Sequence, residues 1–110
     1  MKFRADITNC ENGRDKVLSV CQIAPDGNIE HEVIIQRQPK EFDAFDDQPG
    51  PKISCKELGL DLEPGPKEIK FSGDFMNIVI EGSKTIQVDL SRLSKKERKE
   101  LKTVARAIFK

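Results

Sequence analysis

The sequence contains no Trp and no Tyr, and its 110 residues include only one His. Long hydrophobic runs are also missing. The longest apolar stretches, Val33 to Ile35 and Ile78 to Ile80, are far shorter than the roughly 20 residues that cross a bilayer. Asp6 follows the N-terminus before the apolar segment of a secretory signal can form. We therefore predict a cytoplasmic protein with neither a signal sequence nor a membrane contact.

Cysteine is scarce as well. The three cysteines, Cys10, Cys21 and Cys55, are odd in number and show no C-x-x-C spacing. This pattern fits neither a disulfide framework nor a zinc site. We expect free thiols in a reducing compartment, with Cys21 and Cys55 acting as small buried hydrophobic residues within strands.

Few residues are suited to catalysis. General acid–base and nucleophilic catalysis most often use His, and the single His31, beside the turn at Asp26 to Asn28, is expected to be a surface residue at a strand end. The seven glycines are scattered, so no phosphate-binding loop is formed. Asp43, Asp46 and Asp47 lack the spacing of a calcium loop. The sequence predicts no enzyme activity, metal or cofactor, although a small enzyme of unfamiliar type stays an alternative.

Alternating apolar residues predict a series of strands. The turn residues Pro25 to Asn28 indicate that the first three form an antiparallel meander, and Ser72 to Asp74 and Gly82-Ser83 separate three further strands as consecutive hairpins. Gln38 to Lys52 shows no regular period and is predicted as a long loop, and two prolines predict a turn over Leu62 to Pro66. The predicted strands are Lys2 to Thr8, Lys16 to Ile23, Glu32 to Gln36, Ile53 to Leu58, Glu68 to Phe71, Phe75 to Glu81 and Thr85 to Leu90.

The period changes at the C-terminus. Ser94 and Glu97 have the spacing of a capping box, and Leu101, Val104 and Ile108 follow at helical intervals, which predicts a helix from about Lys95 to Phe109. An apolar content of 36% is enough for one core. We therefore predict a single α+β domain over residues 1–110, with a mostly antiparallel sheet of about six or seven strands packed against one C-terminal helix.

Charge is distributed unevenly. The net charge is zero, but the last twenty residues carry +6 and the first ninety −6. Nucleic-acid binding usually needs a basic domain with exposed aromatic residues, so no nucleic-acid partner is predicted. The cations Lys95, Lys99, Lys102, Arg106 and Lys110 fall on one stripe of the predicted helix, opposite its apolar face. This basic stripe is interpreted mainly as a solvated face.

The long loop contains an acidic segment with two phenylalanines. Phe42 and Phe45 are three residues apart and would share one side of a short helical turn, with carboxylates around them. One interpretation is that both rings anchor the loop to the core. The other is a contact patch for a partner protein, because interfaces concentrate affinity in aromatic anchors within a charged rim. The candidate partner-binding residues are Glu41, Phe42, Asp43, Phe45, Asp46 and Asp47.

The order of these segments resembles the immunity protein 10 family of bacterial polymorphic toxin systems. The similar residues are the strand Val33-Ile34-Ile35-Gln36-Arg37, the acidic segment after it, Gly65 to Ser72, and Ile86 to Leu90 followed by the helix. The resemblance implies an α+β protein without catalytic activity that binds one-to-one to a cognate toxin and neutralises it. An adaptor or regulatory subunit, which docks a protein through an edge strand or the basic stripe, is the alternative.

Overall fold

A computed structural model describes residues 1–82 and 84–110; Ser83, in the predicted Gly82-Ser83 turn, lies outside the described residues. The fold is α+β, as predicted, with two sheets and one C-terminal helix. The elements are β1 (Lys2–Arg4), β2 (Ile7–Asn12), β3 (Lys16–Ile23), β4 (Ile29–Arg37), β5 (Lys52–Cys55), β6 (Leu60–Pro64), β7 (Pro66–Ser72), β8 (Phe75–Ile80), β9 (Lys84–Asp89) and α1 (Lys95–Ile108). Two short 3-10 helices, Lys40–Phe45 and Lys56–Leu58, flank β5.

Five strands form an antiparallel sheet in the order β2-β3-β4-β5-β6. The predicted meander is confirmed, because β2, β3 and β4 are neighbours in chain order. Leu18 and Val20 lie opposite Ile35 and Val33, and all four side chains are buried. Since side chains alternate along a strand, Glu32 and the other intervening residues of β4 point away from the core.

The other four strands form a sheet in the order β1-β9-β8-β7. The predicted hairpins β7-β8 and β8-β9 are present, and β1 runs parallel to β9 at the edge. Met76 and Ile78 on β8 and Ile86 and Val88 on β9 are fully buried, as their alternation predicts.

The expectation of one sheet of six or seven strands needs correction, because the described residues form nine strands in two sheets. The predicted strand Lys2 to Thr8 is divided between the sheets at Ala5 and Asp6. The backbone N–H of Ala5 donates to Asp89 of β9, and that of Asp6 donates to Cys21 of β3. The sequence alternates without interruption there, so the pattern did not reveal the crossing.

The chain crosses between the sheets again at Gly65. The predicted turn over Leu62 to Pro66 is wrong, because Leu60–Pro64 is β6 and Pro66 begins β7. β6 and β7 are both edge strands. Pro64 and Pro66 are tolerated there, because an edge strand has a side on which no backbone N–H is needed for pairing with a neighbouring strand. Gly65 has a φ of +137°, a conformation that few other residues adopt.

The helix and both sheets share one hydrophobic core. Ser94 and Glu97 form the predicted capping box, and the helix ends at Ile108, one residue before its predicted end. Leu101, Val104 and Ile108 are buried, and the helix packs against β2 and β3. Among the described residues, no helix is long and apolar enough to cross a membrane.

Candidate protein-binding site

The acidic segment of the long loop forms the 3-10 helix Lys40–Phe45, which buries none of its residues. The helix starts where the N–H of Phe42 donates to the carbonyl of Pro39, at 3.0 Å. A 3-10 helix has three residues per turn, so Phe42 and Phe45 lie on the same side, as predicted. The exposed fraction is 46% for Phe42 and 88% for Phe45. Neither ring belongs to the hydrophobic core cluster, and Phe45 packs little of its surface on the protein.

Each of three carboxylates in this segment is paired with a cation from another part of the chain. Glu41 pairs with Arg14, in the turn between β2 and β3. Arg37, the last residue of β4, donates two hydrogen bonds to Asp43, with N–O distances of 2.9 and 2.7 Å. The third is the pair between Asp46 and Lys52. These pairs connect the 3-10 helix and its C-cap Asp46 to the β2-β3 turn, the end of β4 and the start of β5.

Asp46 has the largest number of contacts in the segment. It accepts hydrogen bonds from Lys52 Nζ at 3.0 Å, from the Gln48 backbone N–H at 2.9 Å and from the Gln38 amide at 3.3 Å. The Gln48 N–H, with help from Lys52, lowers the pKa of the Asp46 carboxyl. Hydrogen bonds from Arg37 lower the pKa of Asp43 in the same way. Both side chains are carboxylates at neutral pH.

The structure thus brings all six predicted residues together on one exposed loop, but most of their negative charge is compensated. The spacing of the acidic residues does not reveal these three cations. Arg14 lies on a distant segment, and Arg37 and Lys52 stand at the two ends of the loop, where no local pattern predicts their pairing. Asp47 differs from the others: it is exposed, and none of the ion pairs in the described part of the chain includes it. A partner therefore meets an aromatic surface with a fixed polar rim and one uncompensated carboxylate.

A second group of polar side chains surrounds the single histidine. His31 is half-buried, with its ring 5.7 Å from that of Phe3, and its Nδ1 lies 3.2 Å from Glu57 Oε1. The other Glu57 oxygen lies 3.4 Å from the thiol of Cys55. Glu57 thus lies between the Cys55 thiol and the His31 ring, whereas a thiol nucleophile and its base need to be in direct contact.

Burial, reinforced by the hydrogen bond to Glu57, raises the pKa of the Cys55 thiol, which keeps it protonated. Cys21 and Cys55 are both buried in strands, as predicted, and all three cysteines are free. Within residues 1–82 and 84–110, no group of three His, Cys, Asp or Glu side chains has the arrangement of a metal site.

No protein-family model matches this chain, and no characterised protein shows significant sequence similarity to it.

Proposed function

We propose that this protein is a cytoplasmic immunity protein, which binds a cognate bacterial toxin in a one-to-one complex and neutralises it without catalysis. The observation that supports this proposal best is the Phe45 ring. It is almost fully exposed, and it lies on a segment that ion pairs already hold in place. Exposing such a ring has no stabilising role in the isolated protein, whereas a ring of this kind is a typical interface anchor.

The ion pairs around the ring favour tight binding. Binding costs free energy when loops and side chains become ordered at an interface. Arg37 is largely buried and forms two hydrogen bonds to Asp43, so this part of the segment is ordered before a partner arrives. Phe42, on the same side, widens the apolar surface around Phe45.

Co-expression with a toxin domain encoded next to this protein's own gene, where such a gene is found, provides the test. We expect the wild-type protein to protect growth and to copurify with the toxin domain as a one-to-one complex. Phe45→Ala should weaken binding about 30-fold, the equivalent of about 2 kcal/mol for an interface anchor. Phe75→Ala is the matched control, because Phe75 is 41% exposed on the four-stranded sheet, away from the acidic segment.

Charge is best tested at Asp47. Asp43 and Asp46 both form internal ion pairs, so replacing them perturbs the loop as well as its charge. Asp47→Lys should slow association with a cationic toxin surface while leaving the thermal midpoint unchanged. An active toxin in the presence of this protein would refute the proposal. Full binding of the toxin by Phe45→Ala, with loss of binding when Lys95, Lys99 and Arg106 become Glu, would move the interface to the basic stripe.

A further inference from the structure

Within residues 1–82 and 84–110, no helix or second sheet packs on the face of the five-stranded sheet that points away from the core. Strand alternation places Ser19 of β3, Ile34 of β4 and Ser54 of β5 in one row across this face. We call this surface the outer sheet face. Ile7, at its β2 edge, is 51% exposed.

A groove with a volume of about 1000 Å³ opens on the outer sheet face, between the start of β4 and the β5-β6 connection. Ile29, Ile34 and Leu60 provide its apolar surface, and Ile29 is 58% exposed. This volume is at the upper end of the roughly 300–1,000 Å³ of small-molecule pockets, so the groove accommodates a segment with several side chains.

Three carboxylates, Glu30, Glu32 and Asp61, line the groove, and none of them takes part in an ion pair of the described residues. Glu57, which faces His31, is the fourth acidic residue, and Lys56 is the only cation of the lining. This arrangement contrasts with the acidic 3-10 helix, where cations of the same chain offset most of the carboxylates. The groove therefore carries an uncompensated negative potential.

We infer that this groove is a second contact surface for the toxin and receives a cationic segment whose apolar side chains pack on Ile29 and Ile34. The inference rests on the proposed function, since it takes the toxin as the partner. Charge complementarity selects the occupant: the carboxylates repel a phosphate backbone and attract Lys and Arg, while the isoleucines need apolar side chains to cover them. Phe45 would then act as the interface anchor, and the groove would steer the association electrostatically.

The test uses the purified toxin domain and measures association and dissociation rates at low and at physiological salt. The groove variant neutralises the three unpaired carboxylates: Glu30→Gln, Glu32→Gln and Asp61→Asn. The control variant makes the same change in net charge at exposed carboxylates elsewhere: Glu63→Gln, Glu81→Gln and Glu100→Gln. Melting curves of both variants confirm that they are folded.

We expect the groove variant to associate about tenfold more slowly than wild type at low salt and to lose most of its salt dependence. The control variant should stay within about twofold of wild type. Ile29→Ser should speed dissociation and leave the association rate unchanged, because it removes apolar contact area without changing the charge.

Equal rates for the groove and control variants, in a wild-type complex that does form, would overturn this inference and leave the proposed function intact. Absence of any complex with wild-type protein would overturn both. Sedimentation of the isolated protein gives a separate check. A concentration-dependent dimer that the groove variant abolishes would assign the groove to the basic stripe of a second copy, and would contradict the toxin as its occupant.

Discussion

Replacing three phenylalanines in turn by alanine tests whether the ring at the candidate site has a structural role. A fully buried Phe contributes about 3 to 5 kcal/mol when it is replaced by Ala, and the cost falls as the exposed fraction rises. Phe3 is 7% exposed, Phe42 is 46% and Phe45 is 88%. Scaled by burial, the expected losses in the free energy of unfolding are about 3 to 4, about 2 and about 0.5 kcal/mol, respectively.

Urea unfolding at neutral pH measures these losses. With a slope of about 1.5 kcal/mol/M for a domain of this size, the three midpoints should fall by roughly 2.3, 1.3 and 0.3 M. Phe3→Ala serves as the positive control, since its ring belongs to the core cluster. A loss above about 2 kcal/mol for Phe45→Ala would show that the ring packs on the protein in solution. In that case the ring would be an anchor of the loop, and the main support for the binding patch would disappear.

Three further predictions concern stability. Leu101→Ala should lower the free energy of unfolding in urea by about 2 to 5 kcal/mol, because Leu101 is fully buried on the core-facing side of the helix. A loss below about 0.5 kcal/mol would contradict the docking of the helix. Ser94→Ala should lower the same quantity by about 1 kcal/mol, through loss of the 3.1 Å cap to the Glu97 N–H. Hydrogen bonds from Arg4 and then from Ile23 lower the pKa of Asp6 to about 2. Its stabilisation is therefore complete above about pH 4 and lost as the pH falls through about 2. As the pH is lowered from about 4 to about 2, the unfolding midpoint of Asp6→Asn should decline less steeply than that of wild type. Parallel plots of midpoint against pH for the two proteins would refute a stabilising role of the Asp6 carboxylate.

The helix and the central hairpins were predictable because their signals are local. The capping box and the apolar spacing of the helix depend on neighbours within a few residues, as does the alternation of Met76, Ile78 and Ile80. The division of the first strand was not predictable, because Phe3, Ala5 and Ile7 alternate as one strand does. Which sheet a strand joins depends on distant partners, here Asp89 for Ala5 and Cys21 for Asp6.

The candidate site shows the same limit. The side of the 3-10 helix shared by Phe42 and Phe45 follows from their spacing, whereas pairing of Glu41 with Arg14 needs the folded chain. The groove on the outer sheet face did leave one signal in the sequence. Ile34 shares its face of β4 with Glu32, and an apolar residue on an otherwise polar strand face marks a surface that is suited to contact.

The parallel pairing of β1 with β9 determines when folding can finish. Phe3 lies opposite Val88, so β1 has its partner about 85 residues further along the chain. Closing a loop of about 85 residues costs about 2 kcal/mol more entropy than closing a hairpin of about ten. The five-stranded sheet contains no such contact, because its strands from β2 to β6 pair with neighbours in sequence. We expect that sheet to form early and β1 to dock last, so that contact order limits the folding rate at this edge.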